Sequence, residues 1–344
     1  MKKLLNTIYI STDNAALKKD GENLVVDLDD TTIGRVPLHL IDGIVAFGAI
    51  LLTPALIGSC TEKGITISIF DRIGRFQARI EGKISGNVLL RRAQYKISDE
   101  PEKIVKSILM GKISNQRAVL MRALRDYGNE YDEQVRTNLE FATKRLAHNI
   151  SYLNTYDTPL DNMRGIEGDS AQVYFGVFDY LIRSKSEKMR FLKRTRRPPL
   201  DPINALLSFF YALLTHDCRS AAESVGLDPA VGFIHRDRPG RPSLALDMME
   251  ELRPILVDRF VLSLVNRGQI KENDFEYTDS GAVNISNEAR KTALTEWQNR
   301  KREERFHDFI EEKIPFGLVP YVQAKLMARH LRGDLDVYVP WLWK

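Results

Sequence analysis

Between Gly232 and Pro254 the chain reads "GFIHRDRPGRPSLALDMMEELRP", which sets His235, three loop arginines (Arg236, Arg238 and Arg241) and the acids Asp247, Glu250 and Glu251 in close succession. The Arg-Pro-Gly-Arg-Pro stretch reads as a turn, and the Leu and Met spacing after Ser243 predicts a helix. On that helix Asp247 and Glu250 lie three apart and share a face, whereas Glu251 is turned from Glu250 by about 100°. Glu251 is also four residues after Asp247, so spacing alone does not dismiss it. A histidine on the preceding loop can meet that face. The alternative is a solvated loop followed by the polar side of a helix.

A second acidic centre stands upstream in "NMRGIEGDSAQVYF", where Glu167 lies between Gly165 and Gly168 at the expected start of an apolar helix. Taken alone, such an acid only complements the helix dipole. Glu167, an acid of the later helix and His235 together make a mixed oxygen and nitrogen set. That set suits Mg²⁺ or Mn²⁺ at a phosphate, with positions left for substrate and water. The other histidines are His39, His148, His216, His307 and His330. His307 and Glu311 would form an i,i+4 pair on a helix, but no third ligand lies near them in sequence.

DNA held at such a site needs positive charge around it. Arg236, Arg238 and Arg241 follow His235 directly, and "KRTRRPP" adds Lys193, Arg194, Arg196 and Arg197. From Arg183 to Arg197 there are eight Lys or Arg against one acid, Glu187. These are the expected DNA-binding cations, since phosphate contacts bind without reading sequence. Other chemistries lack their motifs: there is no GxxxxGK[ST], no GxGxxG after a strand and no GxSxG elbow.

The elements that must position these groups fall into two kinds. At 344 residues, with 43% hydrophobic and 28% charged residues and a net charge of +4, the chain has the composition of a soluble globular protein. Cys60 and Cys218 form no CxxC pair and suggest a reducing compartment. "MKKLLNTIYIST" reads as neither a signal peptide nor an anchor, and no run of apolar residues is long enough to span a membrane, so a cytoplasmic location is expected. "NTIYIS", "ENLVVDL", "DGIVAF", "GITISIF" and "GRFQARI" read as strands, with a turn at Asp20-Gly21 and one short helix capped by Thr53 and Pro54. From about Asn87 the apolar spacing becomes helical. The expected fold is α+β: a small β-sheet domain over residues 1–90, then a larger all-α catalytic domain over 91–344. "ALTEWQNRKREERF" reads as a charged surface helix, and "VYVPWLWK" as a terminal aromatic segment that tucks onto its own domain or docks a partner.

"RGIEGDSAQVYF", "RRPPLDPINALLSFFYALL" and "GFIHRDRPGRPSLALDMMEELRPILVDR", in a strand-rich then helical order, closely resemble CRISPR-associated protein one, the integrase and endonuclease family of CRISPR adaptation. The resemblance covers essentially the whole chain. Its opening and length resemble the subtype I-C branch. It implies that Glu167, His235 and Glu250 are catalytic and hold Mg²⁺ or Mn²⁺, with Asp247 in support, and that Asn204 and Tyr174 serve packing or DNA contact. It also implies a homodimer that joins a dimer of CRISPR-associated protein two on double-stranded DNA, the prespacer and the CRISPR repeat. CRISPR-associated protein four is a candidate further partner. The implied reaction is attack of a DNA 3′-hydroxyl on a repeat-edge phosphodiester. A general metal-dependent nuclease and a non-catalytic DNA scaffold are the competing functions.

Overall fold

The structure, a computed structural model, describes residues 7–41, 43–71, 76–82 and 88–343. Residues 1–6 of the expected opening, 74–75 of the last expected strand and 83–87 before the expected boundary lie outside these. The chain divides into two compact units, Met1–Gly86 with Ile285–Arg302, and Asn87–Asn284 with Glu303–Lys344.

The first unit holds eight described strands: β1 (Thr7–Ile10), β2 (Ala16–Asp20), β3 (Asn23–Leu28), β4 (Thr31–Pro37), β5 (Gly43–Phe47), β6 (Leu51–Leu52), β7 (Thr66–Phe70) and β8 (Phe76–Ile80). One sheet has the order β1-β5-β7-β8 and the other β4-β3-β2-β6. β5 pairs in parallel with β1 and β7, and every residue of its "GIVAF" is buried, as a strand covered on both faces requires. β2 and β3 form the hairpin at Asp20-Gly21. Helix α1 (Pro54–Glu62) begins as its sequence dictates, with Thr53 Oγ1 accepting the Leu56 N–H and Pro54 in the first turn. Its Leu56 and Cys60 join Leu17, Leu24, Ile44 and Ile67 in one apolar core.

The second unit carries α2 (Val88–Asp99), α3 (Glu102–Tyr127), α4 (Glu133–Thr155), α5 (Leu160–Gly176), α6 (Pro202–Ser224), α7 (Ser243–Glu250) and α8 (Arg259–Asn266). Helix α9 (Asn287–Arg302) lies in the first unit and α10 (Val319–Leu331) in the second. Two expectations are thereby altered. The segment 91–344 is mostly helical but not all-α, because short two-stranded sheets form at Phe275–Tyr277 with Val283–Ile285 and at Glu304–His307 with Glu312–Pro315. And α9, expected to be a charged surface helix of the second domain, clusters with the first unit and buries Ala289, Ala293, Leu294 and Trp297. No helix among the described residues is long and apolar enough to cross a membrane.

One helix start and one distortion in the second unit set the site. Asp201 caps α6 by accepting the Asn204 N–H at 2.8 Å. Pro254 follows α7 closely and has no N–H to give the helical ladder. The chain widens there into a π-helical segment, Arg253–Asp258, before α8 resumes the α-helical path.

Candidate metal and DNA site

Asp247 organises the loop that carries His235. Its side chain is fully buried and accepts the backbone N–H groups of Phe233 (2.5 Å), Ile234 (3.0 Å) and His235 (3.1 Å). Its Oδ1 also lies 2.6 Å from His235 Nδ1. A carboxylate accepts, so Nδ1 is the nitrogen that donates to Asp247 and Nε2 is the one left for the site. The loop closes over Asp247 because residue 232 is glycine. A Cβ there would stand 2.8 Å from both Asp247 Oδ2 and Ser243 Cβ. Arg164 holds the loop from outside through two bonds to the Ile234 carbonyl, at 3.2 and 2.9 Å.

His235 Nε2 faces Glu250 Oε1 at 4.0 Å. Glu250 is 3% exposed, and burial alone would raise its pKa. The opposing charges of Arg253 and Lys112 outweigh that effect and hold the carboxyl well below its ordinary range. Arg253 Nη1 lies 2.8 Å from Oε1 and Lys112 Nζ 2.7 Å from Oε2. Lys112, in α3, also pairs with Glu167. Glu167 lies well inside α5, not at a helix start as expected, so it is no dipole-complementing acid. Glu167, His235 and Glu250 are thus drawn together from α5, the loop and α7, with Asp247 behind the imidazole.

The donor types fit a hard divalent ion: two carboxylates and an imidazole whose second nitrogen is already fixed by an acid. As they stand, no group of three His, Cys, Asp or Glu side chains among the described residues surrounds a metal position. The Lys112 ammonium bridges the two carboxylates instead.

These groups open onto a cavity of about 330 Å³ lined by Arg164, Glu167, Ile234, His235, Arg236, Arg238, Arg241 and Glu250. Arg236 and Arg238 are exposed and Arg241 half-buried, all three on its wall. In the other basic segment Lys193, Arg196 and Arg197 are exposed. Arg194, expected among the DNA-facing cations, turns inward. It donates to Asn204 Oδ1 (2.5 Å) and Ser208 Oγ (3.1 Å) and stacks 5.3 Å from the Tyr211 ring. Asn204, fully buried, also accepts the Thr195 N–H and donates to the Lys193 carbonyl, so it pins this segment to the start of α6. Tyr174 is buried as well, with no exposed surface to offer DNA.

Residues 8–299 match the family described as CRISPR associated protein Cas1. The chain belongs to the Cas1 family. It is 60% identical over 344 residues to the CRISPR-associated endonuclease Cas1 2 of Rhodospirillum rubrum, covering the whole of both. It is also 33% identical to a CRISPR-associated exonuclease Cas4/endonuclease Cas1 fusion of Geobacter sulfurreducens, over 96% of this chain and 59% of that protein. Among solved structures, a CAS1 protein from Thermotoga maritima superposes with a TM-score of 0.80 at 22% identity, over 97% of this chain and 99% of that one. A chain of a Cas6-RT-Cas1–Cas2 complex superposes with a TM-score of 0.77 at 25% identity, over 100% of this chain and 36% of that one.

Next to Glu250 this chain holds a second acid in a different setting. Glu251, which spacing alone did not dismiss from the site, is fully buried. Its Oε1 accepts from Tyr338 Oη (2.7 Å) and Gln323 Nε2 (2.8 Å). Burial pushes its pKa up to about 8 against those bonds and one from the Trp341 backbone. Asn115 of α3 completes the clasp, donating to the carbonyls of Glu251 (2.7 Å) and Trp341 (2.9 Å) and accepting the Trp343 N–H (2.9 Å). Gly111 lets the segments meet, since a Cβ there would lie 2.6 Å from Pro340 Cβ. The aromatic terminus is therefore tucked onto its own unit: Tyr338 and Trp341 are buried and Trp343 lies under Arg259 at 3.8 Å. His307 serves the same layer, its Nε2 3.0 Å from Gln323 Oε1. It sits in a strand and Glu311 outside any helix, which removes the expected i,i+4 metal pair.

Sequence reasoning missed Lys112, Arg164 and Arg253. Lys112 did carry a signal. It falls four residues after Ile108 and seven after Val105, on the apolar stripe of α3, where a charged residue needs a buried partner.

Proposed function

We propose that this Cas1 chain is a divalent-metal-dependent DNA endonuclease and strand transferase that inserts short DNA fragments into a CRISPR array, working as a homodimer in the cytoplasm. The observation that carries this is the convergence of His235, Glu250 and Glu167 on a cavity walled by Arg164, Arg236, Arg238 and Arg241. Glu167, Glu250 and His235 Nε2 would hold Mg²⁺ or Mn²⁺, which would act as a Lewis acid on the attacking hydroxyl and the phosphate. The protein's own part is positional. Asp247 keeps the imidazole in one tautomer and orientation, and Arg164 ties its loop to α5. The guanidinium groups draw two phosphate-bearing strands to one point, which turns an encounter into an intramolecular step. The attacking 3′-oxygen forms a bond to phosphorus and loses its proton. The phosphorus–oxygen bond to the repeat strand breaks, and the departing 3′-oxygen gains a proton. Water in place of the 3′-hydroxyl gives cleavage.

Partners follow from the relatives. The Cas1–Cas2 complex and the Cas4–Cas1 fusion support a CRISPR-associated protein two dimer, with CRISPR-associated protein four as a further partner. Double-stranded prespacer and repeat DNA are the proposed substrates, and the subtype I-C branch is the proposed place in the family. The test is a labelled 3′-hydroxyl duplex mixed with a repeat-bearing plasmid and Mn²⁺. Joined product supports an integrase, and nicking alone supports the general nuclease. Glu167→Ala should abolish joining while DNA binding persists or tightens, because the substitution removes a negative charge facing the phosphate and frees the Lys112 charge that Glu167 pairs. Full activity in a chelator, or binding lost in step with activity in a folded variant, would overturn the assignment.

A further inference from the structure

A lysine with both ion-pair partners in a candidate metal set is unusual, because its charge occupies the place a metal needs. Lys112 is 4% exposed and its ammonium joins Glu167 to Glu250, while Arg253 holds the other oxygen of Glu250. Without that ammonium Glu250 would keep Arg253 as an ion-pair partner, and Glu167 would lose its pairing with Lys112. Buried charges of one sign are costly unless paired. One helical turn along α3 stands Gln116, 2% exposed, whose Oε1 has no hydrogen-bond partner. Lys112 and Gln116 line the same water-sized void of about 20 Å³. An unpartnered buried acceptor one helical turn from that lysine, across a shared void, gives its ammonium a second place to donate.

We propose that Lys112 is an internal counter-ion with two resting places: bridging Glu167 and Glu250 when the metal is absent, and turned towards Gln116 Oε1 when a divalent cation takes the carboxylates. Lys112 is a positioning residue that sets metal affinity by competing for the ligands. The inference rests on the metal reading above. It also explains why the donors are assembled without enclosing a metal position.

Mn²⁺ binding to full-length, DNA-free protein, followed by loss of the free-ion electron paramagnetic resonance signal, tests it, with thermal unfolding in EDTA alongside. Lys112→Met should bind Mn²⁺ on the order of tenfold more tightly than the parent and unfold at a lower temperature in EDTA. Gln116→Leu should unfold in EDTA at the parent's temperature or above it, since the buried acceptor is unpartnered there, and bind Mn²⁺ a few-fold more weakly, having lost the second resting place. A folded Lys112→Met that binds Mn²⁺ no more tightly overturns the counter-ion, while the parent's binding leaves the metal reading standing. A parent that does not bind Mn²⁺ overturns both. Should Lys112→Met fail to fold, Gln116→Leu decides alone, and unchanged affinity overturns the proposal.

Discussion

Glu251→Gln separates two adjacent acids by pH. Glu251 is buried, with its pKa raised by burial from the ordinary 4.5 to about 8. Well below pH 4.5 it is protonated in the folded and unfolded chain alike, and its contribution to stability is fully present. As pH rises through that window the unfolded chain ionises first, so stability is lost until the folded carboxyl ionises near 8. The gap corresponds to roughly 5 kcal/mol across the window, at about 1.36 kcal/mol per pH unit. Glutamine cannot ionise. Its oxygen can still accept from Tyr338 and Gln323, while its NH₂ lies against Gly111 and Pro340 without an acceptor, at a pH-independent cost of about 1–2 kcal/mol.

Near pH 5 the variant should therefore be equal to the parent or slightly less stable, and near pH 9 more stable by roughly 3 kcal/mol. Urea unfolding in EDTA, followed by tryptophan fluorescence and far-ultraviolet circular dichroism at several pH values, measures this, with Trp341 reporting from the clasped segment itself. Asp258, whose pKa burial also raises, to about 6, is common to both proteins and cancels in the difference. A difference that stays constant from pH 5 to pH 9 would refute the reasoning and return Glu251 to the role of an ordinary acid.

Two further outcomes test the DNA wall and the histidine support. Replacing Arg236, Arg238 and Arg241 together with Gln should weaken binding to unrelated duplexes and make the slope of log affinity against log salt shallower by about 2–3, and an unchanged slope would move the DNA path towards Lys193, Arg196 and Arg197. Asp247→Asn leaves one oxygen for three backbone N–H groups and an imidazole N–H, so the Mn²⁺ concentration for half-maximal strand transfer should rise by about 10–100-fold with residual activity, while parental metal dependence would show that Asp247 does not orient His235.

What the sequence disclosed about this site depends on how far its parts are separated along the chain. His235, Asp247 and Glu250 lie on one loop and the helix after it, so turn chemistry and a three-residue spacing allowed them one face, and the family resemblance chose Glu250 over Glu251. The strands of β5 and β7, with continuous β-branched runs, were legible for the same local reason, whereas β2 ("ALKKD") and β4 ("TTIGRVP") hide behind lysines, a glycine and an arginine. Lys112 comes from a helix more than a hundred residues away in sequence from Glu250, and only packing brings it there. Glu251 defeated the periodic reading for a different reason. Such a reading gives a helix one wet side, but at the end of α7 Met248, Met249, Glu250, Glu251 and Leu252 are all buried in succession. Two neighbouring acids in a helix buried all round must each find a polar partner inside. Glu250 meets the cations of α3 and the π-helical segment, while Glu251 meets the neutral donors of α10 and the terminal segment. Opposite electrostatics follow from those partners: the first acid stays charged and able to hold a cation, and the second is driven towards its neutral form and holds the chain.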